Sequence, residues 1–270
     1  ILKILMRTVM NHAVNIRFYA LFLVLAVAAG CQPLTINDTV YPYMLNQQAL
    51  GEKPIKTVVI VEQNLGAPSK SYLQPYEPSI DKVMAELLTE AGFTVLANDA
   101  FSSAWRNAVR KHGQPYDNYS SQLNKSSLRR VLYDCLAALK EEGGVDAIIF
   151  TDLVERNVRF VPKQRTVARW DGVSRELRTR GRAQPPLDFD WAQTVPAISI
   201  HTVVYSVDGK TLFKSMGGLE VSRELDTKKS SGRYVRREHM LNNAGHLKQG
   251  VALSLHPLVP IDHYPKDKDQ

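Results

Sequence analysis

Two short segments of this chain are apolar almost throughout and rich in β-branched residues. Val58-Val59-Ile60-Val61 and Val145-Asp146-Ala147-Ile148-Ile149-Phe150 lack the polar–apolar alternation of a strand with one wet face. Strands of this kind must be covered on both sides, and the sequence between them supplies the covers. Past a loop with Gly66, Pro68, Pro75 and Pro78, Ser79 is placed to cap a helix. Ile80, Val83, Met84, Leu87, Leu88 and Ala91 give it one apolar stripe, and Gly92 stops it. Residues 93–96 read as a second strand, and 101–112 as a helix around Ala104, Trp105, Ala108 and Val109, closed by Gly113. A third helix puts Leu128, Val131, Leu132, Cys135, Leu136 and Leu139 on one face and ends at Gly143-Gly144. The order strand, helix, strand, helix, helix, strand predicts an α/β layer with parallel pairing.

The second half has another rhythm. Strands are expected at 157–160, 166–170, 173–179, 198–207, 211–215 and 219–225, with a last helix over 239–253. Asp171-Gly172 and Asp208-Gly209 are two-residue hairpin signals. The whole predicts a single α/β domain over 54–255, α+β being the alternative. Its first half packs with an antiparallel, hairpin-rich second half in one mixed sheet. Pro257, Pro260, Pro265 and a charged end mark 256–270 as a disordered tail.

Before the domain, Arg17 precedes an apolar stretch over 18–29, then Gly30 and Cys31. A basic start, a short apolar run and small residues before a cut site describe an export signal. The run falls short of the ~20 residues that cross a bilayer. Cys31 at the cut resembles the lipobox of bacterial lipoproteins. That resemblance implies a signal peptide over 1–30, starting from Met6 or Met10. It also implies a Cys31 that opens the mature chain and carries acyl groups, palmitate among them. Two or more chains anchor a protein stably where one does not. Gln32 is not the aspartate that retains such proteins at the inner membrane, so the implied place is the periplasmic face of the outer membrane. Residues 31–53, with Pro33, Pro42, Asn46 and Gly51, read as a flexible tether.

Losing Lys3, Arg7 and Arg17 with the signal lowers the net charge from +7 to +4. That surplus gives no case for nucleic acid as a partner. Cys135 is the other cysteine, so no internal disulfide is available, and its place on an apolar stripe makes it a core filler. No Gly-x-Ser-x-Gly elbow, phosphate-cradling glycine loop or His-Glu-x-x-His pair occurs. No catalytic residue, cofactor or metal is expected; the spacing of His239, His246, His256 and His263 fits no metal template. Asp188 and Asp190, one residue apart on an extended run, could serve as an acid–base pair or stand as solvated loop acids.

The strongest local signal after Cys31 lies between Arg156 and Arg182, where nine basic side chains meet only Asp171 and Glu176. Arg165, Arg169, Trp170, Arg175, Arg178 and Arg180 are the candidate binding surface. A basic hairpin bearing an aromatic could grip anionic lipid headgroups, acidic glycan or an acidic protein face. The alternative is a solvated hairpin whose charges discourage edge-to-edge pairing.

The element order resembles a group of bacterial envelope proteins: the curli-secretion lipoprotein CsgG, the amino-terminal domain of TolB, and the lipoproteins that activate penicillin-binding proteins. The likeness rests on the early strand at 58–61, Gly92-Phe93-Thr94-Val95-Leu96, the strand at 145–150, and Val207-Asp208-Gly209-Lys210-Thr211-Leu212-Phe213. It spans about residues 55 to 225 and implies a non-catalytic protein that binds or assembles a cell-envelope complex. The Arg-rich segment departs from the curli pore, being too charged to face lipid. The alternatives are an envelope hydrolase using Asp188 and Asp190, or an accessory lipoprotein subunit of a transporter.

Overall fold

A six-stranded sheet organises the chain. It contains β1 (Tyr43–Leu45), β2 (Thr57–Ile60), β3 (Thr94–Leu96), β4 (Ala147–Val158), β8 (Val195–Ser206) and β9 (Thr211–Val221), in the order β1-β9-β8-β4-β2-β3. β2 runs parallel to both β3 and β4, while β4, β8, β9 and β1 pair antiparallel. The computed structural model describes residues 43–61, 68–115, 124–161, 166–181, 185, 187–228 and 232–261. The expected α/β class holds, with a mixed sheet.

The crossovers explain how the parallel strands are covered. From β2 the chain steps outward to β3 through α2 (Glu77–Glu90). It then returns past β2 to β4 through α3 (Asn98–His112) and α4 (Lys125–Gly143). Right-handed connections running in opposite directions place their helices on opposite faces. Accordingly Ile80, Met84 and Leu88 of α2 pack on Val58, Ile60, Ala147 and Ile149. Phe101, Val131, Cys135 and Leu139 of α3 and α4 pack on Val59 and Ile148, which alternate to the other side. Val58, Val59, Ile148 and Ile149 are all buried, so the missing polar alternation is a consequence of two covered faces. Asp146 starts the strands: its carboxylate accepts from the backbone N–H of Lys56 and Thr57 at 3.0 and 2.9 Å.

Local chemistry sets the helix ends. Phe93 N–H reaches Leu88 O and Gly92 N–H reaches Thr89 O, with Gly92 at φ 89°, a Schellman stop. Asn124 caps α4 by accepting from the N–H of Ser126 and Ser127, and Gly144 at φ 58° closes it. α2 begins at Glu77 rather than after Ser79, with Pro78 preset in its first turn. α5 (Ala244–Leu255) starts at the Asn243 cap, five residues later than 239. Glu220 holds the N–H of Leu241 at 2.6 Å, and Leu241 sits at φ 55°, outside any helix.

α5 lies on the α2 face, with Leu247, Val251 and Leu255 in that core. It comes close because Gly217 on β9 and Gly250 on α5 have no side chains. A Cβ on Gly217 would run into the Gly250 carbonyl, and one on Gly250 into that of Gly218. On the opposite face a Cβ on Gly218 would strike Val173. The sheet is thus clamped at this point between α5 and a small hairpin, β5 (Val167–Trp170) and β6 (Val173–Glu176). A third, three-stranded sheet holds β7 (Thr179–Arg180), β10 (Arg223–Asp226) and β11 (Arg233–Arg236). The single mixed sheet expected from sequence is therefore one large sheet and two small ones, because the Arg-rich hairpin packs on the sheet face instead of extending its edge.

Other boundaries also move. Residues 43–53, expected in the tether, are instead part of the fold: β1 pairs with β9, and α1 (Gln47–Glu52) follows, capped by Asn46. Residues 256–261, expected in the tail, belong to the fold, since Val259 is buried and its N–H bonds Leu255 O. The strands read separately at 145–150 and 157–160 are one twelve-residue β4, and 211–215 merges with the start of 219–225 as β9. Asp208-Gly209 is not a two-residue turn. Ser206 N–H bonds Lys210 O around a three-residue loop with Gly209 at φ 79°. The expected signal peptide over 1–30, Cys31 and the first part of the tether lie outside the described residues. Among the described residues no helix is long and apolar enough to cross a membrane.

Candidate functional site

The hairpin singled out by its charge is built into the body of the protein. Trp170 is buried, and its indole N–H donates to Ser199 Oγ at 3.1 Å. Ser199 donates in turn to Asp171 Oδ2 at 2.6 Å, and Arg156 grips the same carboxylate at 3.0 and 3.2 Å. Arg175 is buried as well. Its guanidinium donates to Leu219 O, Ser174 O, Gln249 Oε1 and His246 O, at 2.8 to 3.4 Å. Burial pulls it down to about 10, with Glu220 opposing, so it remains charged at neutral pH. Trp170 and Arg175 therefore correct the expectation of a basic, aromatic contact surface: packing and carbonyl bonding consume them.

The remaining members divide. Arg169 is half-buried beside Trp170. Arg178 is exposed and 3.9 Å from Glu220, and exposed Arg180 pairs with Glu238 at 3.0 Å. Arg165 lies outside the described residues. Of the six candidates, Arg178 and Arg180 are thus the exposed ones among the described residues.

Buried Glu220 anchors a second network, which no sequence motif announced. Its carboxylate takes Arg237 at 3.1 and 3.3 Å and the Leu241 N–H, with His246 Nδ1 at 3.7 Å. This ties the approach to α5 onto β9. Burial holds His246 below its usual value, with Arg175 adding to the effect and Glu220 opposing it.

An open groove lies elsewhere. α3 and α4 cover only the β3-β2-β4 side of their sheet face, and the β5–β6 hairpin covers the far end. Between them is a groove of about 1070 Å³. Phe150, Val203 and Tyr205 line it from the sheet, and Trp105, Leu132 and Leu136 from the helices. Its aromatics form a row: Trp105 stacks on Phe101 at 5.8 Å, Phe101 meets Phe150 edge-on at 5.9 Å, and Phe150 meets Tyr205 at 5.8 Å. Polar groups stand at its rim. Lys140 pairs with Asp208 at 2.8 Å, and Asp152 stands 3.6 Å from His201 directly across the strands.

α4 explains why sequence reasoning missed this groove. Its apolar residues were expected on one core-facing stripe, yet they form two adjacent i,i+4 rows. Val131, Cys135 and Leu139 are buried against the sheet, while half-buried Leu128, Leu132 and Leu136 line the groove. An apolar arc wider than one core needs was the available signal.

The other candidates stay apart from the groove. Asp188 and Asp190 are exposed, and Asp190 is engaged by the Ala192 N–H at 2.9 Å in a local turn. Cys135 is fully buried, and burial pushes its thiol up to about 12, far from a nucleophile's range. Among the described residues no three His, Cys, Asp or Glu side chains group as metal ligands, and His263 lies outside them.

No known family model and no curated protein matches this chain. Among solved structures, the PelC dodecamer from Paraburkholderia phytofirmans is similar at 9% identity and a TM-score of 0.32, over 82% of this chain and 98% of that one. A likeness that slight transfers neither fold nor role.

Proposed function

We propose that this chain is a lipid-anchored periplasmic protein, held at the outer membrane through Cys31, that binds or assembles a cell-envelope complex and does not catalyse. The observation that supports this reading is the aromatic groove. Apolar surface of this extent, left open and rimmed by charges, is where a partner or ligand gains most by excluding water. The lipid end of the proposal rests on the apolar run and the cysteine that follows it.

Three experiments test it. A photo-crosslinking residue at Leu132 should give a discrete adduct in intact cells, lost when Trp105→Ala disturbs the aromatic row. The same probe at exposed Lys82 should give none. Identical adducts from both sites would count against the groove. Separately, Cys31→Ser should abolish palmitate labelling and release the protein from membranes; labelling that survives the change removes the anchor. If Asp188→Ala with Asp190→Ala abolished function while the Leu132 adduct persisted, the hydrolase reading would replace this one.

A further inference from the structure

The register of the small three-stranded sheet creates a problem of charge. β10 and β11 pair antiparallel with Arg223 directly opposite Arg236. Side chains in that relation leave the same face with Cβ atoms about 5 Å apart, and like charges there are destabilising. The other face of the ladder meets its charges in the ordinary way. Arg233 stands opposite Asp226, which also neighbours Arg180 on β7.

Arg223 and Arg236 have no such partner. Among the described residues neither guanidinium forms an ion pair or donates a hydrogen bond. Arg236 sits over the ring of Tyr72, its Cζ 4.4 Å from the ring centre. That contact uses the cation's charge and leaves its N–H donors unspent. Glu155 is the acid bonded to this ring, accepting from the Tyr72 hydroxyl at 2.8 Å. Both arginine charges reach the same hydroxyl. Two positive charges against one negative leave a surplus, with up to ten N–H donors facing no acceptor.

We propose that Arg223 and Arg236 form a site for a phosphoryl anion, with the Tyr72 ring as its platform. Each guanidinium fork can take a different non-bridging oxygen, which cancels the repulsion across the strands. The residual charge after Glu155 suits a phosphodiester or a free phosphate. The inference needs neither the groove nor the lipid. It places anion binding on β10 and β11 instead of on the hairpin, where Arg175 is spent on internal acceptors.

The test follows the arginine Nε–H signals of the full chain at constant ionic strength. Inorganic phosphate and short-chain phosphatidylglycerol below its micelle concentration are added in separate titrations. Saturable shifts of Arg223 and Arg236, with buried Arg175 unmoved, are expected. Arg223→Gln or Arg236→Gln should weaken binding roughly tenfold. Glu155→Gln should tighten it, a gain that no unfolded variant could mimic. Tighter binding of the lipid assigns a headgroup source, and tighter binding of phosphate assigns the free anion. Absence of saturable shifts with both probes, equal shifts with acetate, or affinity unchanged in Arg236→Gln would overturn the site.

Discussion

Asp171 sits at φ 40° in a turn with Gly172 at φ 81°, a backbone that Asn tolerates and most residues do not. Its buried carboxylate serves Arg156, Ser199 and, through Ser199, the indole of Trp170. Asp171→Asn keeps the turn but removes the charge. It should cost about 1–3 kcal/mol in urea unfolding, and Asp171→Ala should cost more because φ is also wrong. Equal effects would show that the backbone contributes nothing. Cys135 makes a second prediction. With its thiol pushed up to about 12 by burial, it should resist iodoacetamide in the folded protein and react fully in denaturant. That residue's place was legible from its helical stripe. The fates of Trp170 and Arg175 were not, because a hairpin's sequence gives its turn and alternation but not which surface it will lie on.

At the scale of elements, α5 and β9 approach through glycine. Gly217→Ala puts a methyl group into the Gly250 carbonyl, where only backbone movement can relieve the clash. The expected loss is at least 1–3 kcal/mol, the usual cost of overpacking, seen as a lower denaturation midpoint. Gly51 in α1 is the control. A Cβ there meets nothing within 4 Å, so Gly51→Ala should stabilise by about 0.5–1 kcal/mol. If both variants moved stability the same way, the close contact of α5 with the sheet would be in doubt. Helices were readable because α2, α3 and α4 carry periodic stripes and glycine stops. β1 was unreadable: three residues show no period, and their strand character comes from Lys214 and its neighbours on β9, some 170 positions away.

For the whole molecule, acid sensitivity follows from two histidines. Burial holds His256 below the ordinary histidine value of 6.5, and burial aided by Arg175 does the same to His246. The unfolded chain therefore binds more protons than the folded one in this range. Stability should be complete above about pH 6.5 and fall as acid is added, by at most ~1.4 kcal/mol per pH unit for each group. Urea midpoints at pH 5 and pH 8 measure this, and His256→Gln should shrink the difference. A midpoint that rises on acidification would contradict the assignment.

Composition and periodicity were enough for the class: β-branched runs without alternation demand two helical layers, and short-range patterns report that demand directly. Chain order and the right-handed crossover then leave little choice for where α2, α3 and α4 go. What lies open between them is another matter. The aromatic groove, the buried acids Asp171 and Glu220, and the opposed pair Arg223 and Arg236 each join residues distant in the chain. Such juxtapositions depend on register and on which face a hairpin covers. Those are settled by long-range packing, which leaves no period in a linear string.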